Sequence, residues 1–325
     1  MQMLKKMLVG ALCLLTTILF ATGARAAPAP VIVGSYINKV QDLSFRENRY
    51  TVDFYIWFRW KAEGPLADYK PLESFEIING RVDSKTSVVE KKIGDMNYAS
   101  ARITATIAEN WNLTNFPFDH HRTQVRIEDS GLTALDLAFV ADDTNSRLGD
   151  EIEMAGWKAN NFDSAVQSRL YKTNYGDTSL PTDAQSEYSR YVISWDIDRV
   201  GWGAAIKLLS TVILATGVAF VSFMVKPSDL DARFGMGVGS LFAVAASAFV
   251  VSASVPDSAS LTVADSMHMV ALGFIFLTLL ISSLCLRLEV RGNEELAFRI
   301  DHWCLAILPV LFYGWAAWAI VSAAR

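Results

Sequence analysis

Cysteine is almost missing from this chain: Cys13, Cys285 and Cys304 are all it has, and the long stretch between the first two holds none. That stretch cannot rest on a disulfide framework and must hold together by packing. Charge is scarce too: 19% of residues are Asp, Glu, Lys or Arg, the net charge is -5, and no Lys/Arg-rich run occurs. A surface that tracks nucleic-acid phosphates is thereby set aside. Also lacking are a Gly-rich phosphate loop, a His/Cys cluster at metal-ligand spacing and a Gly-x-Ser-x-Gly elbow, so neither an enzyme nor a cofactor is expected.

Apolar residues fill the space these absences leave. They make up 52% of the chain, too much for a uniformly soluble protein. Residues 1–26 read as a secretory signal: Lys5 and Lys6, an apolar stretch from Met7 to Phe20, then Ala24-Arg25-Ala26 as a small-x-small cleavage site. The mature chain is expected to start near Ala27, and an uncleaved anchor helix is the alternative. Either way the next part, 27–199, is exported.

From Val31 to about Asp198 the chain alternates in short steps rich in Val, Ile, Thr and aromatics. Tyr50 to Trp60 is the clearest strand, with Tyr50, Val52, Phe54, Ile56 and Phe58 on one face. Others are read at Ala101 to Ile107, Thr123 to Ile127, Trp157 to Val166, Ser168 to Thr173 and Tyr188 to Asp196. A spacing of about ten residues without a helical run predicts an antiparallel, immunoglobulin-like β-sandwich.

After Asp198 come four apolar runs, about 203–225, 234–255, 266–286 and 303–323, within a membrane domain of 200–325. Each is long enough to cross a hydrocarbon core of roughly 30 Å as a helix, and helices alone satisfy every backbone group there. Lys226 and Arg233 flank the first connecting loop and Arg287, Arg291 and Arg299 surround the third, whereas Pro256 to Asp265 carries no Lys or Arg. The positive-inside rule then puts the first and third loops in the cytoplasm. The middle loop, the C-terminus and the sandwich share the far side of a cell (inner) membrane.

The second run differs from the others. Gly235, Gly237, Gly239, Ala243, Ala245, Ala246, Ser247 and Ala248 make it small-residue-rich, and Asp231, Gly235, Gly239, Phe242, Ala246, Phe249 and Ala253 share one helical face. Several copies would line a pore with that face, Asp231 forming an acidic ring that favours cations and Phe242 or Phe249 forming hydrophobic constrictions. A small-xxx-small packing helix inside a monomeric bundle is the alternative reading.

Several segments resemble, in order, the pentameric ligand-gated (Cys-loop receptor) channels. Asn115-Phe-Pro-Phe-Asp119 is similar to that family's Phe-Pro-Phe-Asp loop, Trp57-Phe-Arg-Trp60 to its second-strand Trp-x-x-Trp region, and Phe75-Glu-Ile-Ile-Asn-Gly80 to its next strand and loop. Arg199, Pro227, Asp231-Ala-Arg233 and Pro256 resemble its landmarks around the first two spans. The resemblance implies a homopentamer in the lipid bilayer around a central pore, gated by a small molecule, a proton or a divalent cation at the exported domain. A membrane-anchored sensor that does not conduct is the alternative.

Departures from the family pattern are informative. The cysteines of its signature loop would fall at Glu109 and Thr123, and the third loop, Glu289 to Arg299, is very short; in both respects the chain resembles bacterial members. The aromatic box of amine receptors is incomplete. Trp57 matches one side, the loop matching its central tryptophan reads Glu128-Asp129-Ser130-Gly131, and the capping loop, about Asn174 to Glu187, offers Tyr175 with Tyr188 beside it. The resemblance implies coupling of sandwich to pore through Pro117, Phe118, Asp119, Arg199 and Pro256, with Asp119 and Arg199 as a candidate charge pair. His120 and His121 beside that loop are candidate proton sensors. Asp142-Asp143 and Glu151-x-Glu153 are candidate calcium attractors, with solvated acidic loops as the alternative.

Overall fold

The computed structural model describes residues 27–324 other than 177, 180, 182 and 257–259. Residues 1–26, read from the sequence as a secretory signal, lie outside the described residues.

Strict alternation builds the first half. In β2 (Arg49–Trp60) every second residue, Tyr50, Val52, Phe54, Ile56, Phe58 and Trp60, is buried. Each such side chain contributes roughly 1.5–3 kcal/mol by leaving water. β2 lies between β1 (Ala29–Ser44) and β5 (Met96–Ala108), and β5 pairs outward with β4 (Gly80–Ile93). On the other edge, β7 (Leu137–Ala141) and β8 (Arg147–Leu148) pair with β1. The second sheet has the order β3 (Phe75–Ile77), β6 (His120–Asp129), β10 (Ser186–Arg199), β9 (Trp157–Tyr171). Inward residues of both sheets, among them Phe54, Ile103, Val125, Ile193 and Trp195, form one dry core.

Three features depart from the sequence reading. β7 and β8 run parallel to β1, so the sandwich is not wholly antiparallel. The two strands expected at Trp157 to Val166 and Ser168 to Thr173 are one continuous β9. β4 lies at a sheet edge with every residue exposed, so its charged and polar alternation carries no core signal to read.

Four helices follow: α1 (Gly203–Val221, extended by a tighter turn Ser222–Met224), α2 (Leu230–Ser254), α3 (Val263–Val290) and α4 (Glu294–Ala323). All four are long and apolar enough to cross a membrane. Asp229 caps α2. Thr262 and Asp265 cap α3 as a capping box, each side chain bonding the other's backbone N–H. Helix α4 starts well before its apolar run. Its polar opening turns are held in register because Ala297 and Asp301 are buried against the bundle.

A further difference from the sequence reading, in which it flanks the first connecting loop, is Arg233. It lies within α2, not in a loop, and is wholly buried. Its guanidinium forks onto Asp301 of α4 (Nη1 to Oδ2 2.7 Å, Nη2 to Oδ1), and also donates to Ser282 of α3 at 3.0 Å and to the Val225 carbonyl at 2.9 Å. Arg299 likewise lies within α4. Arg287 lies within α3 in the same way, so outside the helices the charge count at these two loops rests on Lys226 and Arg291.

Candidate functional site

Three groups of residues are placed by this fold: a bare helix face, a junction between strands and helices, and an aromatic cluster on the second sheet.

Helix α2 is two-sided. Arg233, Gly237, Ser240, Val244 and Val251 are buried against the other helices. Gly237 is small by necessity, since a Cβ there would meet a methyl of Leu279 at 2.5 Å. On the opposite side Asp231, Gly235, Gly239, Phe242, Ala246, Phe249 and Ala253 are all exposed. Phe242 is 68% and Phe249 76% accessible, values that a single chain leaves to solvent, lipid or another copy. Asp231 sits in the first helical turn, at the end remote from the sandwich, where the helix N-terminus favours a carboxylate.

The junction grows from strand register. β6 and β10 pair with Asp198 opposite His120, so Asp119, just before β6, and Arg199, at the end of β10, come out side by side. Arg199 forks onto Asp119 at 3.1 and 3.2 Å. His121 Nε2 lies 2.7 Å from the same carboxylate. Aromatic rings wall the group: the guanidinium lies 4.2 Å from the Trp157 ring centre and within 5.7 Å of those of Phe45 and Phe116, while His121 is flanked by Phe45, Trp111 and Trp157. Burial pushes the Asp119 carboxyl up, but the hydrogen bonds from His121 and Arg199 outweigh it and hold the group below its ordinary value. Nearby Glu109 goes the other way, raised by burial.

Contacts to the helices come from the same loop. Leu113 and Phe116 are buried in the helical core with Val255, Ala264 and Met267. The Val263 and Ala264 N–H groups, free donors at the start of α3, bond to the carbonyls of Thr114 (3.1 Å) and Phe116 (3.2 Å). Phe118 meets Trp202 edge-on at 5.4 Å, and the Phe116–Pro117 peptide is cis. From the β1–β2 turn, Arg46 reaches the Ala253 carbonyl at the end of α2 at 3.4 Å. Pro256, in the loop after α2, is half-buried. Thr114, Phe116 and Arg46, not singled out as couplers from the sequence, contact the helices directly.

The ligand-site residues are divided. Trp57 points outward from the first sheet, packs over Gly34 and donates to Asp142 at 2.9 Å. Glu128, Tyr171, Tyr175 and Tyr188 cluster on the second sheet, with Tyr171 and Tyr188 edge-on at 5.7 Å and Tyr175 next to Tyr171 at 6.3 Å. The two sets occupy opposite faces of the sandwich. Within one chain they do not meet.

Glu128 and Asp129 are buried and already satisfied. Glu128 takes Arg190 Nε at 2.6 Å and the Tyr171 hydroxyl at 3.2 Å, and Asp129 accepts from Ser74 and from the backbone N–H groups of Gly131 and Leu132. Tyr175, 64% exposed, is the open edge of this cluster. Arg190 gave no sequence signal, because a lone arginine in an alternating strand reads as a solvated side chain. Asp142 serves Trp57, Arg59 and Asn145, and Asp143 accepts from Ser164. Among the described residues no three His, Cys, Asp or Glu converge as a metal site.

No known protein-family profile matches the chain. It is 22% identical over 280 residues to the gamma-aminobutyric acid receptor subunit theta of Mus musculus, a match covering 78% of this chain and 41% of that subunit. A shorter match, 34% identical over 83 residues, is to the plastidic ATP/ADP-transporter of Solanum tuberosum, over 25% of this chain and 13% of the transporter. The chain thus spans less than half the length of the curated relatives it matches. The receptor match is too long to lie within either half, so it crosses from strands to helices. With a two-sheet domain ahead of four membrane-length helices, the chain is a multi-pass membrane protein with a layout like that of the Cys-loop receptors.

Proposed function

We propose that the chain is one subunit of a pentameric, cation-selective ligand-gated channel of the bacterial type. The observation that carries this reading is the two-sided α2: one face is buried in its own bundle, while the other is a continuous bare stripe of Gly, Ala and Phe ending in Asp231. A ring of such stripes makes a pore wall without backbone groups exposed to lipid. Asp231 from each copy forms the acidic ring, and Phe242 and Phe249 form the constrictions.

Effector binding belongs between neighbouring sandwiches. Trp57 of one copy faces the Tyr171, Tyr175 and Tyr188 cluster of the next, and aromatic rings attract ammonium groups. The effector shifts the Asp119, Arg199 and His121 junction through its differential affinity for two states, and the loop around Phe116 carries that shift to the start of α3. The exported domain, the middle loop and the C-terminus lie on the periplasmic side of the inner membrane, after removal of residues 1–26.

The test is voltage clamp on cells expressing the full chain, stepping external pH and calcium, then a panel of small amines that includes gamma-aminobutyric acid, with sodium and chloride substituted in turn. An evoked current whose reversal potential follows sodium supports the reading, and Asp231→Ala should then lower the sodium preference. Specific ligand binding to a surface-expressed assembly, with no current even in Phe242→Ala, would favour the non-conducting sensor instead.

A further inference from the structure

At the end of the bundle remote from the sandwich, the turn after α1 and the facing ends of α3 and α4 enclose a cavity of about 660 Å³ that the channel reading leaves unused. Its wall carries three acids, Glu289, Glu294 and Asp301, and two bases, Lys226 and His302. Glu289 Oε2 is buried with no hydrogen-bond donor within reach among the described residues. A buried acceptor left unmatched is destabilising, so the position favours an occupant that brings a donor. The remaining wall includes Met224 and Phe298, each 71% exposed on the outer surface of a membrane-length helix. Asp301, the third acid, has both its oxygens engaged by Arg233.

We propose that this cavity holds the headgroup of an aminophospholipid, a phosphate ester bearing a primary ammonium. The ammonium donates to Glu289 and Glu294, and the phosphate lies against Lys226 and His302. The acyl chains run along Met224 and Phe298. A quaternary ammonium has no N–H to give Glu289, and a headgroup with phosphate alone would add negative charge beside two carboxylates. The apolar outer wall, continuous with the lipid-facing surface, points to a lipid and not a free headgroup. The site lies next to the Arg233–Asp301 pair that anchors α2, so its occupant touches the support of the bare helix face.

Native mass spectrometry tests this on the full-length assembly released from nanodiscs of dioleoyl phosphatidylethanolamine, phosphatidylcholine and phosphatidylglycerol in equal parts. Ethanolamine lipid should be retained over choline lipid by about ten-fold, the equivalent of one charge-assisted hydrogen bond. Glu289→Gln should bring the two near parity, and Lys226→Gln should lower retention of all three. Parity in the wild-type protein, a preference for the glycerol lipid, or a Glu289→Gln variant with unchanged selectivity would overturn the assignment. Displacement by millimolar phosphoethanolamine as effective as by lipid would identify a free headgroup as the occupant and overturn the lipid. If a variant does not fold, the wild-type retention ratio still decides. None of these readouts depends on current, so their failure is distinguishable from failure of the channel reading.

Discussion

The two halves of this molecule bury their apolar residues in opposite ways. In the sandwich, a single chain closes the core: the inward face of β2 is shielded from end to end, and the outward face carries Asp53, Trp57 and Arg59 in polar contacts, with the Arg102 guanidinium over the Tyr55 ring. In the bundle, the same chain leaves large apolar side chains outside: Phe242, Phe249, Trp303 and Trp318 are each at least 64% exposed. Alternation with period two needs only a second sheet to close it. Helices that are apolar on several sides need lipid or further copies. Strands thus specify a self-sufficient domain, and helices specify a surface awaiting partners.

That contrast can be broken most directly at the Arg233–Asp301 pair, where the bundle buries charge. Arg233→Ala strands Asp301 inside the helices and should cost about 3–5 kcal/mol, read as loss of a monodisperse assembly in detergent; replacing both partners with apolar residues should recover most of it. Phe54→Ala opens a cavity in the closed core and should cost about 3–5 kcal/mol, seen as an earlier tryptophan-fluorescence transition in denaturant. At the border between the halves, Asp119→Asn weakens the bonds to the Arg199 guanidinium and to His121 and should cost about 1.5–3 kcal/mol. Because the Asp119 carboxyl is held below its ordinary value in the folded state, its stabilisation is present at neutral pH and lost as pH falls through that lowered value. Melting temperatures of the Asn variant should therefore lose that part of the acid dependence.

Smaller effects sharpen the same comparison. Thr262→Ala removes the capping box at α3 and should cost about 1 kcal/mol, measurable by thermal melting. Phe249→Ala, on the bare face, should change stability by less than about 0.5 kcal/mol while altering any evoked current. A large melting shift in that variant would mean that the face is packed within one subunit, and the contrast drawn above would fail.

Much of this was legible from the chain. The β2 face was readable because period two needs no partner to be recognised, and the four spans because length and hydropathy are properties of a single segment. The α2 stripe was legible as a face, since small residues at helical spacing mark one side whatever the neighbours are. Less visible was β4, whose exposed edge carries no apolar pattern, and the early start of α4, whose polar residues turn helical only against the bundle. Arg233 was read as a charge flanking the first loop, and its burial was not visible because the ion pair that draws it inside comes from Asp301, far along the chain.

Sequence alone determined the two-part architecture, the membrane-length helices and the residues of the bare helical face, because periodicity and hydropathy are local. Tertiary structure decided the rest. It brought Asp119, His121 and Arg199 together through the pairing of β6 with β10, committed Glu128 to Arg190, and separated Trp57 from the tyrosines across the thickness of the sandwich. These are contacts between residues distant along the chain, and strand register and helix packing set them where no local pattern records them.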